Sequence, residues 1–155
     1  MTRLHECDIV NDPLLFIDIG IKTSNQNRII EIGPVLKGGY ATQAIIEEQG
    51  SDITIPSGYQ SIGRYAFGFS QLTSVEIPDS VTTIGDAAFR GNQLTSVEIP
   101  DTVARIGNDA FTENQLTSVE IPDGVTTIGD SAFSQNQLTS VEIPDSVTTI
   151  GEYSF

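Results

Sequence analysis

Apolar and polar positions follow one pattern along residues 50–155, and this pattern returns every 22 residues. The octet LTSVEIPD occurs four times without change, and residues 50–71 form a diverged first copy. A fixed period of this length is typical of repeat proteins, in which each repeat buries its apolar side chains against its neighbours. We therefore predict a β-rich solenoid of about five stacked coils. The coils are residues 50–71, 72–93, 94–115, 116–137 and 138–155, and the unchanged octets begin at Leu72, Leu94, Leu116 and Leu138.

Each coil is predicted to contain two short strands. The V-E-I segment of the octet alternates with period two and ends at a proline, which lacks the N–H that a central strand needs. Residues 81–84 predict a second strand, and the small residues before Phe89 suit one helical or 3₁₀ turn. Strands of successive coils should pair in parallel about 4.8 Å apart, which places identical residues above one another. The core positions of the second coil are Leu72, Val75, Ile77, Val81, Ile84 and Phe89.

The spacing L-x-S-V-x-I-P-x-x-V-x-x-I-G-x-x-A-F-x-x-N resembles BspA-like leucine-rich repeats, a family found in bacterial surface and adhesion proteins. The resemblance covers about two thirds of the chain. It implies a leucine-rich repeat fold and a role in display or interaction. The matching positions are structural ones, so they name no ligand.

Residues 1–49 lie outside the repeat and are predicted to form a non-repeating head. The runs 16–21 and 29–32 are β-prone, and the polar stretch 23–27 between them is a turn signal, so we expect an antiparallel hairpin. Residues 44–49 could be a short helix or a strand that leads into the first coil. A head this small should pack on the solenoid, on copies of itself or on another protein. Its candidate docking residues are Leu14, Leu15, Phe16, Ile17, Ile19, Ile29, Ile30 and Ile32.

The chain is strongly acidic, with 21 acidic and 7 basic residues and a formal net charge of −14. Nucleic-acid backbones and anionic membranes should repel such a chain, so we expect neither as a partner. No apolar run approaches the length of a membrane span, so we expect no membrane insertion. The lone Cys7 excludes an intramolecular disulfide, and stability must come from stacking.

The octets place acidic residues in rows, which are the candidate ligand-binding residues of the displayed face. Carboxylates in such rows could bind calcium between coils. Repulsion between neighbouring carboxylates is only about 0.9 kcal/mol at this spacing in water and is screened by salt, so a solvated acidic face needs no metal. We favour the solvated face and expect no cofactor. The rows are Glu76, Glu98, Glu120 and Glu142, and Asp79, Asp101, Asp123 and Asp145.

Other polar residues also have structural explanations. The asparagines at 92, 114 and 136 are expected to bind backbone groups at the coil corners. Threonine pairs such as Thr82 and Thr83 resemble the hydroxyl arrays of ice-binding solenoids, but adjacent residues of a strand should point to opposite faces. A single histidine, His5, with Cys7 and Asp8 is too little for a tetrahedral metal site or a Cys-His nucleophile. We therefore expect no enzyme.

Two hypotheses for the function remain open. In the first, the head docks onto protein partners in a larger assembly, a virion appendage or surface structure, and the repeats are displayed as a spacer or as an adhesive for a surface receptor or glycan. In the second, the chain is a free intracellular protein whose acidic face binds a basic protein. Residues 1–12 lack the apolar region of a secretory signal, so we expect a virion or other extracellular assembly reached without such a signal, or a cytoplasmic location in the second case. The apolar end of the last coil should be covered by more chain or by a partner.

Overall fold

The computed structural model describes residues 21–23, 29–31, 35–36 and 40–155. One helix lies in this part of the chain, α1 (Tyr40–Gln49). The strands are β1 (Ile21–Thr23), β2 (Ile29–Glu31), β3 (Val35–Leu36), β4 (Asp52–Thr54), β5 (Ser61–Ile62), β6 (Ser74–Glu76), β7 (Thr83–Ile84), β8 (Arg105–Ile106), β9 (Thr127–Ile128) and β10 (Thr149–Ile150).

A parallel sheet runs along one side of the stack, in the order β10-β9-β8-β7-β5-β3. Equivalent residues of successive coils face each other across it, so Ile84 pairs with Ile62 on one side and with Ile106 on the other. The glycine after each strand extends the pairing, because the amide of Gly85 donates to the carbonyl of Ile62 at 2.8 Å. The predicted second strand of each coil is confirmed, and the stack is the expected parallel solenoid.

The prediction that paired strands run through every octet is wrong beyond the first two coils. β4 pairs with β6 in parallel, but the octets from Leu94 onward contain no strand in the described structure. The side chains at the pairing positions explain the difference. In the first pair Thr54 faces Glu76 and its hydroxyl donates to that carboxylate at 3.1 Å, and Ser74 donates to Asp52. In later pairs Glu faces Glu, and like charges directly opposite destabilise a strand pair.

A turn before each core phenylalanine forms a third connection between coils. Amides of one coil donate to carbonyls of the next, as Phe67 does to Ala88 at 2.8 Å and Phe89 to Ala110 at 2.8 Å. The turn needs a left-handed residue two positions before the phenylalanine. Ala87 fills this position at φ 52°, and Tyr65 fills it at φ 54°. That conformation costs a non-glycine residue roughly 1–2 kcal/mol.

The core is one continuous cluster that runs the length of the stack. It contains a column of buried phenylalanines at positions 67, 89, 111 and 133, which the exposed Phe155 continues, with ring centroids 5.2 to 5.6 Å apart and planes within 11° of parallel. Most Leu, Ile and Val side chains of the repeat are buried in the middle coils, whereas Val75 and Val97 are partly buried and pack against the cluster. The predicted apolar positions of the second coil are therefore core positions, except Val75.

The segment before the first coil closes the N-terminal end of the stack. β3 extends the parallel sheet beyond β5, and α1 packs on β4. Ile45 of α1 is 3% exposed and belongs to the core cluster, so 44–49 is helical rather than extended. The head contains an antiparallel pair, β1 with β2, as expected, but β1 shares only Ile21 with the predicted run 16–21 and includes Thr23, which was expected in the turn. Residues 16–20 lie outside the described residues.

Candidate interaction surfaces

The repeated asparagines join the coils and are not free to bind a ligand. Asn114 is 7% exposed, and its Nδ2 donates to the carbonyls of Phe111 and Phe89, both at 3.0 Å. Its Oδ1 accepts the amide of Leu94 at 3.1 Å. Each asparagine thus satisfies backbone groups of two coils, and the structural explanation from the sequence is confirmed.

A second row of polar side chains also joins successive coils by binding backbone groups. The sequence did not lead us to predict it. The carboxylate of Asp86 accepts the amide of Asn108 at 3.0 Å, and Asn108 Oδ1 accepts the amide of Asp130 at 2.9 Å. Asp130 in turn accepts the amide of Glu152 at 2.9 Å. The signal was present, because each of these residues follows the Ile-Gly of its repeat, where a short Asp or Asn side chain can accept a backbone N–H.

The acidic rows lie on the octet face, where all eight predicted carboxylates are exposed. Shallow clefts of about 680 Å³ separate successive octets, and Ser, Val, Glu, Ile and Pro side chains line them. Within the described residues, no group of three or more His, Cys, Asp or Glu side chains lies close enough to hold a metal ion. The face therefore presents separated charges beside open clefts.

The threonine pairs lie on the outer side of the parallel sheet. Val81 and Ile84 are both buried, whereas Thr82 is exposed and Thr83 is partly exposed. Neither threonine is buried, so the expectation that they face opposite sides is wrong; Thr82 precedes β7 (Thr83–Ile84), and the alternation of a strand does not extend to it. The hydroxyl of Thr82 donates to the carbonyl of Gln60 at 3.1 Å and so joins neighbouring coils.

The head residues proposed for docking fall largely outside the described structure. Leu14, Leu15, Phe16, Ile17, Ile19 and Ile32 lie outside the described residues. Ile29 and Ile30 belong to β2, where Ile30 pairs with Lys22 and Ile29 with Thr23. Their role in docking stays a prediction.

The first coil carries an exposed aromatic patch, which we define as Tyr65 and Phe69 with the arginines Arg64 and Arg90. Tyr65 is 44% exposed and Phe69 is 59% exposed. The guanidinium carbon of Arg64 lies 5.4 Å from the centroid of the Tyr65 ring, and that of Arg90 lies 5.9 Å from the centroid of Phe69. The Phe69 ring lies so close to Gly91 that a Cβ there would overlap it. The patch is a compact surface of two rings and two cations.

The two arginines of the patch differ in their partners. Arg90 donates to Glu113 and lies 3.7 Å from Asp109, and the hydrogen bond to Glu113 raises the pKa of its guanidinium above the already high ordinary value. Among the described residues, Arg64 contacts the Tyr65 ring and forms no ion pair. Arg64 therefore offers a positive charge without an acidic partner among the described residues, over the exposed Tyr65 ring.

Sequence comparison agrees with this architecture. Residues 46–155 match the BspA type leucine rich repeat region in six copies. The chain belongs to the BspA-type leucine-rich repeat family. A comparison with curated proteins gives no match.

Solved structures of leucine-rich repeat proteins are similar to this BspA-type chain. A leucine-rich repeat protein from Bacteroides ovatus ATCC 8483 aligns with a TM-score of 0.55 and 28% identity over 87% of this chain and 41% of its own. A leucine rich cell surface protein from Faecalibacterium prausnitzii A2-165 aligns with a TM-score of 0.47 and 30% identity over 74% of this chain and 41% of its own. The chain thus spans about two fifths of the length of each.

The aromatic patch was not predicted as a site, although alignment of the BspA-type repeats with one another distinguishes its residues. In alignment, Tyr65 stands where the next coil has Ala87, and Phe69 stands where it has Gly91. In a regular repeat, the equivalent residues of the other coils show what folding requires at each position. A larger side chain in one coil therefore indicates a position that serves another purpose. The sequence alone does not show that both rings are exposed, because the equivalent Ala87 is buried in the next coil.

Proposed function

We propose that this chain is a non-enzymatic interaction protein. Its repeat solenoid is displayed as a spacer or adhesive, and the residues before the solenoid dock it into a larger assembly such as a virion appendage or a surface structure. The observation that carries the proposal is the closed N-terminal end of the stack, where β3 and α1 already cover the first coil. The apolar run 14–19 comes before these elements in sequence, so we assign it to another chain.

The solenoid itself supports a role in display. Its phenylalanine, asparagine and Asp86-type rows join coils, and the octet face is exposed and acidic. Among the described residues, no helix is both long and apolar enough to span a membrane. Membership of a family that includes surface and adhesion proteins agrees with display outside the cell.

The acidic octet face favours a second candidate function, the binding of a basic protein. Eight carboxylates are exposed there, and clefts of about 680 Å³ lie beside them. A partner with lysine or arginine side chains at matching intervals would be attracted, more strongly at low salt. In this case the octet face rather than the head would bind the partner.

Deleting residues 2–32 tests the docking function. The deletion removes every candidate docking residue but keeps β3 and α1, so the solenoid should still fold and melt near the wild-type temperature. We expect the shortened chain to be lost from the native assembly during purification. Retention at the wild-type level would contradict the docking role.

A matched variant of the octet face separates the two functions. Glu98→Gln with Glu120→Gln removes two exposed charges with little change of shape. Docking through the head predicts that this variant stays in the assembly. Its loss, together with retention of the shortened chain, would favour binding of a basic partner by the acidic face.

A further inference from the structure

The aromatic patch of the first coil is unexplained by the packing of the solenoid. The equivalent positions of the next coil hold Ala87 and Gly91, so the stack does not need large side chains there. Tyr65 and Phe69 also adopt the left-handed backbone, at φ 54° and 57°, which bulky residues rarely do. The turn gives the equivalent residues of the other coils the same backbone, so the size and exposure of the two rings, rather than their conformation, indicate a functional surface.

Composition and charge indicate what this surface binds. Tyrosine, phenylalanine and arginine are enriched where proteins bind one another, and a stacked guanidinium presents a preorganised charge. Arg64 has no acidic partner among the described residues, so a carboxylate on the occupant would be its counter-ion. The occupant should therefore be an apolar segment that carries acidic residues.

The chain contains such a segment. Residues 12–19 read DPLLFIDI, in which Asp12 and Asp18 flank an apolar run. The segment precedes β1 and is not among the described residues. Tyr65 and Phe69 are exposed, so the patch is open to such a segment.

We propose that residues 12–19 of one copy dock on the aromatic patch of a second copy. The apolar side chains pack on Tyr65 and Phe69, and an aspartate of the segment pairs with Arg64. This inference rests on the proposed docking function. It specifies a second copy of the chain as the partner and the aromatic patch as the surface that receives the segment. Each copy carries one segment and one patch, so reciprocal exchange can close a pair of chains.

Self-association of the full chain is the first test. Sedimentation velocity should show a mass above that of the monomer that grows with concentration up to about 100 µM, as expected for a contact of modest affinity. Phe69→Gly should return the chain to a monomer without lowering its melting temperature, because glycine suits the left-handed backbone. Tyr153→Ala is the matched control, since Tyr153 occupies the position of Tyr65 in the last coil, at φ 56° and 80% exposed, but follows Glu152 instead of an arginine.

A synthetic peptide of residues 11–20 is the second test. It should bind the full chain and dissociate the assembly, and replacing both of its aspartates with asparagine should weaken binding by about tenfold, as for one charge-assisted pair. Arg64→Gln should remove the difference between the two peptides. A monomer at all concentrations, an unchanged mass for Phe69→Gly, or a peptide that does not bind would each overturn the proposal.

Different results would contradict the docking function and the self-association through the aromatic patch. If the chain is monomeric and the 2–32 deletion is still lost from the native assembly, the head docks onto a different protein and the patch is not its receptor. If the deletion is retained there, the docking function itself is wrong.

Discussion

Asn114→Asp replaces one atom of a side chain that joins three backbone groups, and it should destabilise the stack in a pH-dependent way. The Nδ2 that donates to Phe89 and Phe111 becomes an oxygen that faces both carbonyls at 3.0 Å, while the contact with the Leu94 amide can remain. When protonated, the new carboxyl group can donate one hydrogen bond instead of two, at a cost of about 1–2 kcal/mol.

The pH dependence follows from the burial of the site. Desolvation and the facing carbonyls raise the pKa of the new carboxyl in the folded state above its unfolded value of about 3.9. Above that pH the unfolded chain has released the proton and the folded chain still holds it, so stability falls as pH rises, by about 1.4 kcal/mol per unit. The loss continues until the pH reaches the folded-state pKa. We therefore expect the total cost to exceed the roughly 1–2 kcal/mol of the protonated form and to grow as the pH rises from about 4.

Urea denaturation followed by circular dichroism between pH 4 and pH 8 measures the effect. Gln115→Glu is the matched control, because it adds the same charge at the exposed neighbouring position and should cost little at any pH. Equal losses for the two variants, or a loss that does not change with pH, would refute the role assigned to the buried amide.

The remaining predictions use the same denaturation assay. Phe111→Ala should cost roughly 3–5 kcal/mol, because the ring is fully buried between two stacked phenylalanines, while Glu120→Ala on the octet face should cost little; equal effects would mean that the faces are wrongly assigned. Ala87→Gly should leave the chain about 1–2 kcal/mol more stable than Ala88→Gly, because both lose a buried methyl group but only the former relieves a left-handed alanine; equal stabilities would show no strain at this turn. Glu98→Thr should stabilise by about 0.5–1 kcal/mol, since it restores the Thr–Glu pairing of the first coil, and a destabilised variant would contradict the explanation of the unpaired octets.

The sequence was most informative where one residue type repeats at one position. The columns that contain Phe111 and Asn114 could be predicted because a fixed period places identical side chains above one another. The second strands were predicted for the same reason, from the two buried residues Val81 and Ile84.

Relations between neighbouring coils were harder to predict. The octet pattern predicts a strand in each coil, but whether two octets pair depends on which side chains lie opposite each other. Only in the first pair does a threonine, Thr54, lie opposite a glutamate, Glu76. Exceptions to the repeat were the other difficulty. Tyr65 and Phe69 are exposed in the structure, and no periodicity of the sequence indicates that both rings face outward.

The coils are joined on the sheet side, on the turn side and at the start of each octet, where the amide of Gln115 donates to the carbonyl of Leu94 at 2.9 Å, but from Leu94 onward they are open along the V-E-I segments. Amide hydrogen exchange tests this most directly. The amides of Gly85, Gly107 and Gly129 donate to the preceding coil at 2.8 to 2.9 Å and should be strongly protected. Within the described residues, the amides of Val97 and Glu98 donate to no backbone carbonyl, so they should exchange orders of magnitude faster. Equal protection of the glycine and octet amides would show that the octets pair along the whole stack, and would contradict the open face.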